Sequence, residues 1–288
     1  MMKKTLVAIA ALAVVSAASA EVTLSGGMAL ELSNSTASEE MQLNNGDAAA
    51  TNLTVTAKEN LGGGLTLATQ INMRMNAANG TDGGNPAGSL TQNANMSLAG
   101  AFGSLTLGRW QIASPAGFDA FGRYGNTAYA AAGTASSTRV SNQVGYSSPV
   151  FSGFKVSLAS SVDGVNNAAR EATLARVDYS VGKFAAAYAT YDTTAGLNGK
   201  DIMASYDFGM AKIMGVQDTS TTGVRNTSVG VRVPYGAFTL IAQAQQGDSD
   251  SNTAMGIDYA MSKATTVYAA SNSGGAHNQY RFGLRTAF

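Results

Sequence analysis

Leu65-Thr66-Leu67-Ala68-Thr69-Gln70-Ile71-Asn72-Met73-Arg74-Met75 is the stretch on which the fold turns. Leu65, Leu67, Thr69, Ile71, Met73 and Met75 fall on one side of an extended chain, and Thr66, Ala68, Gln70, Asn72 and Arg74 on the other. Successive side chains of a strand point to opposite faces, so this segment reads as a strand with one apolar and one polar face. The same period recurs in both directions. Val22, Leu24, Met28, Leu30 and Leu32 oppose Thr23, Ser25, Gly27 and Glu31. Phe184, Ala186, Tyr188 and Thr190 oppose Lys183, Ala185 and Ala187; Tyr280, Phe282, Leu284, Thr286 and Phe288 oppose Arg281, Gly283, Arg285 and Ala287. After residue 20 no helical period is sustained, and no apolar run is long enough for a membrane-spanning helix.

Two kinds of punctuation alternate between these runs. Short turns fall at Leu61–Gly64, Gly100–Gly103, Pro149–Gly153, Val181–Lys183, Phe208–Met210, Pro234–Gly236 and Met261–Lys263. Longer polar loops fall at about 34–49, 76–89, 111–138, 163–169, 193–199, 218–224, 247–252 and 272–278. Seven turns and eight loops join sixteen strands, and the last four turns recur every 26 or 27 residues.

The chain of 288 residues is 45% hydrophobic but only 12% charged, where a soluble domain carries roughly 25%. Eighteen basic residues balance eighteen acidic ones, which argues against a nucleic-acid partner held by phosphate neutralisation. Having no Cys excludes disulfides, thiolate metal sites and a cysteine nucleophile, and a single His leaves little for a His-based metal site.

Residues 1–20 read as a signal peptide: Met1-Met2-Lys3-Lys4, an apolar run from Thr5 to Val15, and small residues ending Ala18-Ser19-Ala20. The run is short for a transmembrane anchor and stops at a cleavage motif, so the mature chain is expected to span residues 21–288.

A soluble solenoid, propeller or sandwich could also repeat strands. Here, however, one face is apolar from end to end, the other carries Arg, Asp, Gln and Thr, and turn length alternates short and long. A closed transmembrane β-barrel meets all three conditions, with lipid outside, water inside, short periplasmic turns and long extracellular loops. Phe102, Phe151, Phe154, Phe184, Phe208, Tyr235, Phe238 and Phe288 cluster beside the short turns, as an aromatic girdle at one membrane interface would.

Several segments resemble the Gram-negative general porins, in particular their β-proteobacterial and neisserial branch. Glu59-Asn60-Leu61-Gly62-Gly63-Gly64-Leu65 is similar to the turn after that family's second strand. The hairpin from Ser97 through Gly100-Ala101-Phe102-Gly103 to Gly108-Arg109 is similar to its fourth and fifth strands, and Gly117-Phe118-Asp119-Ala120-Phe121-Gly122 to its third loop. Arg139, Asn142, Tyr146, Pro149, Phe151 and Phe154, then Tyr259, Met261-Ser262-Lys263, Val267-Tyr268 and Gly283-Leu284-Arg285, follow in the family's order. The resemblance implies an all-β, 16-stranded antiparallel transmembrane barrel, a homotrimer in outer-membrane lipid, passing ions and small hydrophilic solutes without a cofactor. It also implies a third loop folded into the lumen, here about 28 residues long, and a terminal Phe288 read by the insertion machinery. The sequence departs from the family at Asn52 and Gln92, where relatives often carry pore arginines, and at Thr286-Ala287, where they carry a basic pair. Strong anion selectivity is therefore not expected by default.

Alternation puts Gln70, Asn72, Arg74, Arg139, Gln143, Arg176, Asp178, Arg232, Asp258 and Arg281 on the inner face. Arg109, just after Gly108, joins them if the strand bulges there, and Asp119 and Arg123 lie on the third loop. Arg74, Arg109 and Arg139 are expected to form a basic wall facing Asp119, a fixed-charge arrangement that sets ion preference. The plainer alternative makes these arginines struts that hold loop backbone. Other functions rest on less. The Gly-rich segments at 62–64 and 80–84 lack the strand–loop–helix setting and Lys of a phosphate cradle. His277 sits among Gly and Asn with no Ser singled out to complete a hydrolase triad, so a barrel enzyme is the lesser alternative. Asp248 and Asp250 are at most a weak surface Ca²⁺ site, and a porin specific for one solute class remains the nearer alternative.

Overall fold

Every run of period-two alternation becomes a strand. The computed structural model describes residues 20–35, 38–46, 51–81, 91–111, 139–162, 172–193, 199–220, 225–248, 251–273 and 278–288. Its strands are β1 (Glu21–Ser35), β2 (Ser38–Asn45), β3 (Asn52–Gly62), β4 (Leu65–Arg74), β5 (Thr91–Gly100), β6 (Gly103–Gln111), β7 (Arg139–Ser147), β8 (Phe154–Ser161) and β9 (Ala172–Val181). They continue as β10 (Phe184–Thr193), β11 (Gly199–Asp207), β12 (Lys212–Ser220), β13 (Arg225–Tyr235), β14 (Phe238–Gly247), β15 (Ser251–Ala260), β16 (Thr265–Ser273) and β17 (Gln279–Ala287).

From β3 onward each strand pairs antiparallel with the next, and β17 returns to β1 with Leu284 opposite Leu30. A ring in which every pair is antiparallel must hold an even number of staves. The register supplies the reason seventeen segments can close: β1 pairs with β3 through Leu24–Val55 and with β2 through Leu32–Leu43, so β2 and β3 are two lengths of one stave. The result is a closed sixteen-stranded all-β barrel. Closure leaves no unpaired edge, which is what lets strands cross a bilayer.

All seven short turns lie where the sequence puts them. Among the loops 34–49 departs most: β1 runs to Ser35, and Ser38–Asn45 is strand. Inside other expected loops β12 runs to Ser220, β15 starts at Ser251 and β16 runs to Ser273, while 112–138 and 163–171 lie outside the described residues. Only Met41 and Leu43 mark the outer face of β2; Glu39, Glu40, Gln42, Asn44 and Asn45 give it the polarity of a loop. The chain leaves the ladder again between Asn45 and Asn52, where Gly46 N–H donates to Ala29 O at 3.0 Å and the Thr51 hydroxyl bonds the Ala29 backbone.

Val22, Leu24, Ile71, Met96, Leu158, Ile202 and Phe282 stand exposed on the outer face, a ring-wide apolar surface that water would not tolerate on a soluble monomer. Aromatics gather at the short-turn end, with rings packed at 4.4 Å (Phe154–Tyr179), 4.6 Å (Tyr206–Phe208) and 4.9 Å (Phe238–Tyr259). The buried side chains lie on the inner wall instead of between two sheets: Met214, Ile241, Ala254, Tyr268 and Ala270 in one patch, Ala187, Met203 and Val216 in another. Tyr268 lies over Gly283, where an added Cβ would come within 2.2 Å of its ring, and donates its hydroxyl to Glu31 at 2.7 Å. Glycine at 283 is what lets that ring lie flat against the wall.

Candidate functional site

Among the described residues the inner wall carries three groups of charge. The first grows from an irregularity. Leu105 and Leu107 are exposed outward, so alternation alone sends Arg109 outward too. Gly108 has φ +125°, and a Cβ there would meet Ala94 O at 2.3 Å, so only glycine fits. Opposite it, Gly108 pairs with Gln143 and Trp110 with Val140, which leaves Arg109 facing two residues of β7, Ser141 and Asn142, the latter at φ +56°. This bulge breaks the period and re-aims the side chain. Arg109 Nη1 donates to Ser141 Oγ at 2.8 Å and to Arg139 O at 3.3 Å. Arg139 Nε donates to Asn93 Oδ1 at 3.2 Å, and Arg74 and Arg109 both act on its charge electrostatically. The three arginines singled out from sequence are therefore one electrostatic group. Arg109 and Arg139 are held by bonds to backbone and neutral side chains, and Arg74 stands at the end of β4 opposite Asn52.

The second group is Asp258 with two cations, Arg285 Nη2 at 2.7 Å and Arg232 Nη2 at 3.9 Å. Arg285 also stacks its guanidinium 5.8 Å from the Tyr268 ring centre. The third lies on β9–β12. Arg176 grips Asp178 two residues along the same face, Nε at 2.9 Å from both carboxylate oxygens. Asp201 and Asp218 face one another in the ladder, both buried. Tyr191 donates to Asp218 at 3.3 Å, whereas neither oxygen of Asp201, 1% exposed, has a hydrogen-bond donor among the described residues.

The remaining expected residues fall into two kinds. Gln70 and Asn72 lie on the inner face of β4, Asn72 donating to Thr54 Oγ1 at 2.7 Å. Gln143 and Arg281 point inward too but are covered, at 2% and 1% exposure. The Gln143 amide is used up on Trp110 O and Val140 O, which ties down the bulge, and Arg281 Nη2 donates to Gln279. Gln92, where a family arginine was looked for, is buried beside a second bulge on β5. Phe288 is exposed and exchanges backbone bonds with Gly26, closing the seam at the chain's end. Asp119, Arg123, His277 and Asp250 lie outside the described residues, as does the third loop; Asp248 accepts from Arg225 N at 2.9 Å.

The sequence puts Glu31 and Arg285 on polar faces without giving them a role, and gives none to Asp201 or Asp218. Arg285 shares the period of Arg281 and could have been found by it. Asp201 is hidden because its inward neighbour Met203 is apolar, and Asp218 because it falls where the sequence reads as the start of a polar loop, whereas β12 continues to Ser220.

A sequence profile of the family described as Gram-negative porin matches residues 5–276. A search of curated proteins returns no match. Solved structures of the same shape include the anion-selective porin of Comamonas acidovorans, with a TM-score of 0.72 and 20% identity over 94% of this chain and 100% of that one. A loop-deletion mutant of OmpT, an outer-membrane protein of Vibrio cholerae, matches at 0.70 and 15% over 93% and 99%. A triple mutant of the Rhodopseudomonas blastica porin matches at 0.69 and 16% over 93% and 100%.

Proposed function

The chain belongs to the Gram-negative porin family, and from that membership we infer that it is an outer-membrane channel for passive diffusion of ions and small hydrophilic solutes. One observation carries the reading: β17 closes onto β1, so a single ring presents an apolar surface to lipid and encloses a polar wall. Membership points to a channel and not to an enzyme. The short turns then face the periplasm and the loops the exterior.

Within that frame residues 1–20 are a removed signal peptide and Phe288 is the assembly signal. Arg74, Arg109 and Arg139 supply the basic side of the narrowest point, with Asp119 and Arg123 of the third loop facing them. Gln70, Asn72, Arg176, Asp178, Arg232 and Asp258 line the water path, and Gln143 and Arg281 support it from beneath. The support is that Arg74 and Arg109 both act electrostatically on Arg139 and that a guanidinium fork suits anions. The assembly is a homotrimer in outer-membrane lipid.

Reconstitution of purified protein into a planar bilayer tests the reading. Ohmic current steps arriving in groups of three are expected; a silent membrane at every voltage would refute the channel.

A further inference from the structure

The charge around Asp258 does not end at Arg232. β12 opens with Lys212, which stands directly opposite Arg232 in the β12/β13 ladder. Ile213 and Val229 are exposed on the outer face, so alternation turns both Lys212 and Arg232 to the lumen. Like charges directly opposite each other across a ladder are destabilising. A third cation comes from the turn between β9 and β10. The Lys183 carbonyl accepts from Asp207 N–H at 3.0 Å, and its Nζ lies 4.0 Å from where a Cβ on Gly209 would stand, beside the turn that leads into Lys212.

One carboxylate stands among the three. Asp207 is opposite Lys212 on its other side, but its Oδ1 accepts Gly209 N–H at 2.7 Å. Among the described residues neither the Lys183 nor the Lys212 ammonium makes an ion pair or a hydrogen bond. Arg232 reaches Asp258 at 3.9 Å, whereas Arg285 takes that carboxylate at 2.7 Å, and the Arg232 side chain stays 34% exposed. With Asp258 assigned to Arg285, three cations against Asp207 leave two positive charges at the short-turn end of the pore. An anion bearing two charges matches that excess and relieves the repulsion between Lys212 and Arg232. A tetrahedral oxyanion fits the donors: two of its oxygens suit the guanidinium fork, and the ammoniums act on the others as point charges. Because Lys212 and Arg232 lie on the inner face, the barrel wall separates them from lipid headgroups, so the anion is a dissolved one.

We propose that Lys183, Lys212 and Arg232 form a binding site for a dissolved dianion of the phosphate class at the short-turn end of the channel. The site deepens the channel reading and rests on it. Arg74, Arg109 and Arg139 stand towards the loop ends of β4, β6 and β7, and Lys212 at the short-turn end of β12, so a crossing anion meets basic groups at two levels.

The test uses the whole channel in a planar bilayer in KCl at mildly alkaline pH, where inorganic phosphate is a dianion, with nitrate at equal ionic strength as the singly charged counterpart. Phosphate is expected to reduce the current saturably and nitrate is not. For a dianion about 4 Å from one ammonium in water, Coulomb's law with a Debye length of about 8 Å predicts that Lys212→Gln raises the half-saturating concentration about 8-fold. Lys183→Gln should raise it in the same direction, and Lys212→Arg, which keeps the charge, should stay near the parent. Lys58→Gln removes an ammonium from the same end of the barrel on β3, opposite Glu21, and should change nothing. Phosphorus NMR line-broadening of phosphate by the channel in a phosphate-free detergent reads binding without current or lipid, and should weaken in Lys212→Gln. Conducting channels with no saturable phosphate effect, or with the same half-saturation in Lys212→Gln, would overturn the site and leave the channel intact. An equal rise in Lys58→Gln would also overturn it, because overall charge and not this site would then be felt. Absence of any conductance would instead remove the reading on which the site rests.

Discussion

Replacing the three arginines one at a time decides whether they steer ions or only brace the wall. Arg109 and Arg139 donate to neutral partners, Ser141, Asn93 and backbone, and Arg74 and Arg109 both act on the charge of Arg139. For an ion passing about 5 Å from one such charge in water, Coulomb's law with a Debye length of about 8 Å leaves roughly 0.4 kcal/mol. The term is attractive for chloride and repulsive for potassium, so deleting one charge changes their permeability ratio about 4-fold. Around an unselective channel under a tenfold KCl gradient, that moves the zero-current potential on the order of 25 mV towards cation preference. Arg74→Ser, Arg109→Ser and Arg139→Ser should each show it, whereas Arg139→Lys, which keeps the charge but loses the fork, should stay near the parent. An unchanged potential in all three serine variants would sink the steering argument and leave the arginines as struts. A shift in Arg139→Lys as large as in Arg139→Ser would show that geometry, and not charge, is what matters.

Other expectations concern stability and processing. Gly283→Ala drives a Cβ into a Tyr268 ring that is pinned by Glu31, Arg285 and the nearby Gly46, and should cost about 2–4 kcal/mol in urea unfolding from detergent micelles. A variant as stable as the parent would mean the ring swings aside freely. Asp201→Asn removes one of two buried carboxylates that oppose each other across β11 and β12, and supplies a donor to Asp218; it should stabilise by about 1 kcal/mol, read as a raised thermal midpoint. A lowered midpoint would contradict the view that the pair is a liability. Protein recovered from the membrane should begin at Glu21, and N-terminal sequencing that reads from Met1 would reject the signal peptide.

What could be read from the sequence was governed by period. Where one face is uniformly apolar, as at Leu65–Arg74 or Gln279–Ala287, alternation gives both the strand and its orientation, because a one-residue slip would put arginine into lipid. It fails where the period itself breaks. Arg109 faces the arginine group only because Gly108 and the Ser141–Asn142 bulge reset the register, and the sequence marks that with nothing more than a glycine before an arginine. β2 reads as loop because its polar residues outnumber the two apolar ones that betray its outer face. Asp201 is hidden for the opposite reason, an inner wall that carries Met203 beside it, and Asp218 because the polar run from 218 reads as loop where β12 continues to Ser220.

Alternation assigns a side of the wall, but not contact with the water inside it. Arg281, Gln143 and Asp258 all point inward, yet the first two are covered by their neighbours and the third is neutralised by Arg285 and Arg232. Counting inward charges therefore overstates the field an ion meets. A carboxylate held at 2.7 Å by one guanidinium, with a second at 3.9 Å, presents little net charge to the lumen, whereas Arg74, Arg109 and Arg139 sit together with their like charges acting on one another. Like charges side by side are unfavourable for folding, so a group of this kind marks a place where something other than stability shapes the wall. The same reasoning sets aside Asp178, which Arg176 cancels. In a barrel whose outer face can carry no charge, selectivity lies with the few inward charges whose neighbours do not cancel them.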